Sequence, residues 1–93
     1  MDIQGMTNEQ IRDAVVGGKL VFECMDTSGD KKSMWDPTVN LEVEEARREF
    51  EKYTKEHKYK AFRVNASGEK GEPMMAFEPG AGRVIFVPPL QGG

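Results

Sequence analysis

The sequence predicts a two-layer α+β domain in which a mixed sheet of four to five strands packs on one long helix, with a short helix at the N-terminus. Three observations predict it. Val43, Ala46, Phe50, Tyr53 and His57 recur three and four residues apart, which gives one apolar stripe along a helix from about Leu41 to His57. Short β-prone runs stand on both sides of that helix, two before it and three after, separated by turn formers. A lone amphipathic helix needs a surface for its stripe, and the inner face of a sheet supplies one. On this reading residues 1–18 are an N-terminal helical extension, 19–87 the α+β domain and 88–93 a C-terminal tail.

The N-terminal helix starts at Thr7-Asn8-Glu9-Gln10, a capping-box pattern in which the Thr7 hydroxyl accepts from the backbone three residues on and Gln10 reaches back. Ile11, Ala14 and Val15 then share a face, and Gly17-Gly18 closes the helix. Such a short helix is marginal alone and must dock. Lys19 to Met25 suits a strand, Asp26-Thr27-Ser28-Gly29-Asp30 a turn, and Lys31 to Trp35 the second strand of a hairpin. Asp36-Pro37 then interrupts the sheet.

Asn40 is the expected cap of the main helix, and Glu42, Glu44 and Glu45 sit by the positive end of its dipole. Lys55, His57 and Lys58 sit at the opposite end, with Glu44–Arg48 and Glu51–Lys55 as solvated pairs. Phe50 is the expected anchor. After the helix, Tyr59 to Asn65 alternates, Phe62 and Val64 facing one way and Ala61 and Arg63 the other. Residues 66–72 read as a polar loop, Pro73 to Phe77 as the fourth strand and Glu78 to Gly82 as a tight connection. Arg83 to Val87 is apolar on both faces, which suits a central strand.

Composition narrows the function. The chain has 93 residues, 38% of them apolar, and a net charge of −3, without the basic footprint of a nucleic-acid binder. No apolar run approaches the ~20 residues of a membrane span, and Met1 to Gly5 lacks the charge and apolar stretch of a signal peptide. The single cysteine, Cys24, cannot form an internal disulfide. A soluble, cytoplasmic protein is expected, acting through protein partners, with neither nucleic acid nor membrane among them and no cofactor.

Catalytic and metal sites find little support. His57 has no serine, cysteine or acid placed beside it and reads as a cation at the helix end, packed at the core edge. Cys24 reads as a small buried apolar residue. One cysteine and one histidine cannot fill a tetrahedral zinc site. Asp26, Ser28 and Asp30 fail the calcium-loop pattern, since position 37 is proline where glutamate is needed. Residues 68–71 lack the Gly-Lys-Ser/Thr of a phosphate loop. Arg47, Arg48, Lys52, Lys55, Lys58 and Lys60 are interleaved with glutamates and read as a solvated face. The expectation is a protein that is not an enzyme. Alternation points one of Met74 and Met75 outward. With Met34, Trp35 and the outward residues of the last strand, it would form an apolar surface for a partner, unless the N-terminal helix covers it.

The last strand runs into Val87-Pro88-Pro89-Leu90-Gln91-Gly92-Gly93. Two prolines end sheet pairing and favour an extended chain, so Pro88, Pro89 and Leu90 should carry the tail clear and contact a partner. Gly92 and Gly93 have no side chains and can thread a narrow channel. An apolar strand, Pro-Pro, two residues and Gly-Gly resembles the close of the small sulfur-carrier subunit of molybdopterin synthase. It is similar, more loosely, to other ubiquitin-like proteins ending in Gly-Gly. Hairpin, helix and further strands is also the element order of their β-grasp fold. The resemblance implies a carrier or modifier whose Gly93 carboxylate, with Gly92 as its slender neighbour, is activated by a separate adenylating enzyme. The helix before the first strand and the turns at Trp35-Asp36-Pro37 and Phe77-Glu78-Pro79 depart from that family. The rival reading is a virion or phage assembly accessory protein, such as a capsid decoration or tail component, with incidental terminal glycines.

Overall fold

The Thr7 capping box forms as its sequence pattern requires. In the computed structural model, which describes residues 3, 5–26, 29–64 and 69–89, the Gln10 amide donates to Thr7 Oγ1 and the Thr7 amide to Gln10 Oε1. Helix α1 (Asn8–Val16) ends at Gly17-Gly18. Gly18 takes a left-handed φ of 96°, and the Lys19 amide returns to the Ala14 carbonyl.

Strands β1 (Leu20–Asp26) and β2 (Gly29–Trp35) form an antiparallel hairpin paired from Leu20↔Trp35 to Asp26↔Gly29. The hairpin is longer than its turn-former cluster suggested, because Asp26, Gly29 and Asp30 join the ladder. Helix α2 (Asn40–Glu51) follows and runs into a π-helical turn, Lys52–Glu56. Then come β3 (Lys60–Val64), β4 (Lys70–Met74) and β5 (Arg83–Val87).

The five strands make one mixed sheet in the order β2-β1-β5-β3-β4. Chain-distant β1 and β5 lie side by side and parallel at its centre, while β3 runs antiparallel to both β5 and β4. This register sorts the side chains. Leu20, Phe22, Cys24, Trp35, Ala61, Val84 and Phe86 share one face, where they are buried together with Ala46 and Phe50 of α2. The Phe50 ring lies 6.4 Å from Phe22 and 5.7 Å from Phe86, distances at which aromatic pairs attract beyond simple area burial. The predicted stripe therefore seats at Ala46 and Phe50, continues through half-buried Tyr53, and ends before His57, which is exposed.

The opposite face carries a second, smaller cluster. Ile11 and Ile3 cover Val21, with Met6, Val15 and Met34 around them, so α1 docks on this side of the β1–β2 half of the sheet. Beside it the Arg83 guanidinium grips Glu23 Oε1 through Nε at 3.1 Å and Nη2 at 2.7 Å.

Three local expectations are corrected. Asn40 does not cap α2. Val39 holds that position without a side-chain bond, and Asp36 organises the turn instead. Its Oδ1 accepts from the Thr38 amide and hydroxyl, while Glu42 reaches back to the Asp36 amide. The fourth strand begins at Lys70, three residues earlier than expected, because Gly71 brings the β4 backbone close to β3. A Cβ there would stand 2.9 Å from the Arg63 carbonyl oxygen. Pro73 is accommodated because β4 is an edge strand. Finally, the helix loosens near its end. The Thr54 hydroxyl donates to the Phe50 carbonyl at 2.8 Å, a back-bond that bends helices, and the wider turn follows.

Candidate functional site

The residues that sequence reasoning grouped as a partner surface do not stay together. Trp35 pairs with Leu20 and so points to the α2 face, where it is 5% exposed and meets Phe22 edge-on at 4.7 Å. It belongs to the core cluster beneath α2. Met34, one residue earlier, faces the other way and is half-buried in the cluster under α1. The N-terminal helix therefore covers that part of the expected apolar surface. Met74 pairs with Ala61 and packs half-buried against the α2-side core. Met75 is the methionine left outside, 93% exposed.

The sheet's central strand ends at Val87 and gives way to a half-buried Pro88 and an exposed Pro89. The remaining residues of the sequence expectation, Leu90, Gly92 and Gly93, lie outside the described residues, as do Thr27, Ser28 and residues 65–68.

Around the strand's exit, Pro88 and Pro89 join Lys60, Phe62, Lys70 and Val87 to line a groove of about 380 Å³. Phe62 pairs with Ile85, and Lys60 with Val87, so these side chains stand on the same face as α1, across the sheet from α2. Lys70 Nζ sits 4.5 Å above the centre of the Phe62 ring, a cation–π contact that holds the ammonium over an apolar floor. Sequence reasoning placed Lys60 in a solvated basic face and passed over Phe62 and Lys70. The alternation already put Lys60 and Phe62 on one face. Lys70 required the Val64↔Lys70 register, which no local pattern announces.

The other candidates are scattered. His57 stands beside the stacked pair Tyr53 and Tyr59, with ring centres 6.1 and 5.9 Å away. Cys24 is buried in the core. Burial, and then the charge that a Cys24 thiolate would carry, push the Tyr53 hydroxyl well above its ordinary value, so Tyr53 stays neutral. The basic residues of α2 and of the π-helical turn go separate ways. The Arg47 guanidinium sits over the Phe77 ring and Lys55 pairs with Glu51, while Arg48 and Lys52 line a cleft between α2 and β2 together with Glu45 and Glu49. Among the described residues no three His, Cys, Asp or Glu side chains gather as metal ligands, and no helix is long and apolar enough to cross a membrane.

Comparison with known proteins returned no matching family model, no matching curated protein and no matching solved structure.

Proposed function

We propose that the domain is a β-grasp carrier or modifier of the ubiquitin-like kind, used through the carboxylate of Gly93 by a separate adenylating enzyme. The observation that carries this reading is the path of β5. It occupies the middle of the sheet beside β1 and then leads directly into half-buried Pro88 and exposed Pro89. The hairpin, the helix across one face and the three later strands support the same architecture. Gly92 and Gly93 lack side chains, which suits a segment that must enter a confined active site.

The chain is then the substrate of the chemistry and not its catalyst. A Gly93 carboxylate oxygen attacks the α-phosphorus of ATP and expels pyrophosphate. A thiol, a sulfide or an amine next attacks the acyl carbon and expels AMP, leaving a thioester, a thiocarboxylate or an amide. Beyond the attacking Gly93 carboxylate itself, none of these steps requires an acid, base or nucleophile from this chain.

Intact-mass measurement of the protein from its native host tests the reading. The expected species carry sulfur in place of a Gly93 oxygen, or a conjugate joined through Gly93, and Gly93→Asp abolishes them. An unmodified mass in every growth condition, with no Gly93 conjugate in the lysate, would overturn it.

A further inference from the structure

The groove beside the strand exit has a chemistry of its own. Its floor and walls come from Phe62, Val87, Pro88 and Pro89, and its polar groups are the ammonium ions of Lys60 and Lys70. Prolines have no N–H to offer, so the lysines supply its hydrogen-bond donors. Among the described residues no acidic side chain lines it, although the chain as a whole carries a net charge of −3. Among the described residues neither lysine pairs with a carboxylate, and Lys70 rests on the Phe62 ring instead. The groove is therefore a local reversal of the protein's charge laid over an apolar base, complementary to an occupant both acidic and apolar.

We infer that the groove takes an extended segment of a partner protein, one apolar side chain of which covers Phe62 and Val87 while a neighbouring carboxylate meets Lys60 and Lys70. This inference rests on the carrier reading for the partner's identity, the adenylating enzyme, and on the groove alone for the segment's chemistry. The contact lies next to Pro89, so a partner held there receives the tail as it leaves the sheet. The two charges steer the encounter and make it sensitive to salt. The phenyl ring and the prolines supply the apolar contact.

A short synthetic peptide of alternating leucine and aspartate, titrated into the isotopically labelled full chain, tests this. The expected result is amide shifts confined to residues 60–62, 70 and 87. Binding should weaken roughly tenfold or more when Lys60→Glu and Lys70→Glu are combined. Added salt should weaken it as well, and a leucine–lysine peptide should leave the shifts unchanged. Both lysines are exposed, so an unaltered circular dichroism spectrum shows that the double variant folds. Absence of shifts, shifts centred on the cleft between α2 and β2, or equal binding by the double variant would overturn the inference. So would concentration-dependent self-association through these residues, which would make a second copy the occupant. Gly93→Asp leaves this titration unchanged while removing the tail product, so the failure of one reading is not mistaken for the failure of the other.

Discussion

Replacing Phe50 with alanine should bring the domain close to the edge of unfolding. The ring is 3% exposed and stands 5.7 Å from Phe86, 5.9 Å from Phe77 and 6.4 Å from Phe22. Truncating a buried phenylalanine costs about 3–5 kcal/mol, combining lost transfer energy with the cavity left behind. Each aromatic partner adds about 0.5–1.5 kcal/mol beyond area, which places Phe50 toward the upper end. At the lower end of the about 5–14 kcal/mol typical of a chain of this length, the variant keeps a small margin or none. With a urea slope of about 2 kcal/mol per molar, a loss of about 4 kcal/mol moves the midpoint down by about 2 M. Equilibrium urea unfolding followed by circular dichroism reads this directly. Leu41→Ala, on the solvent side of the same helix, should change stability by no more than about 0.5 kcal/mol. If Phe50→Ala costs less than about 1.5 kcal/mol, α2 is not seated on the sheet as described, and the two-layer account fails.

Two further predictions concern the backbone and the turn before α2. Gly71→Ala should cost about 1–3 kcal/mol because its Cβ would meet the Arg63 carbonyl, and a thermal melt equal to wild type would show that β4 approaches β3 differently. Bonds from the Thr38 hydroxyl and amide, and then from Lys19, hold the Asp36 carboxyl at about 2, below its ordinary value of about 3.9. Its folded-state value is depressed, so its contribution is complete above pH ~4 and is lost as pH falls toward ~2. Asp36→Asn should flatten the acid limb of the urea midpoint against pH in that window. A limb of unchanged slope would remove Asp36 from the account of acid unfolding.

The elements that could be read from the sequence are those whose signals are local. The capping box needs only Thr7 and Gln10, and both partners lie within one turn. Ala46 and Phe50 announce a buried helical face, and the doubly apolar run of β5 announces a central strand. Even there the sequence overstated the cover, since Ile85 and Val87 are only half-buried on the α1 face. Errors arose where pairing partners decided the outcome. Trp35 was assigned to a surface because its parity within β2 depends on the Leu20 register, which is set by the hairpin as a whole. Gly71 read as a loop residue for want of a side chain, yet that absence is what lets β4 close on β3. The groove was invisible for a related reason, since its members come from three strands and the residues after them. The expectations for Leu90, Gly92 and Gly93 rest on the sequence alone.

The parallel contact between β1 and β5 also constrains the order of events during synthesis. Phe22 and Cys24 must wait for Val84 and Phe86, some sixty residues downstream, before their ladder can form. Until then the hairpin and β3 share no strand between them, and the nascent chain cannot complete the centre of its sheet from local contacts alone. Pairings of such long sequence separation slow folding, because chain entropy is lost before the contacts reward it. The lysine-flanked groove is completed by Val87 at the end of β5, so a partner of the kind proposed would meet only molecules that have finished folding.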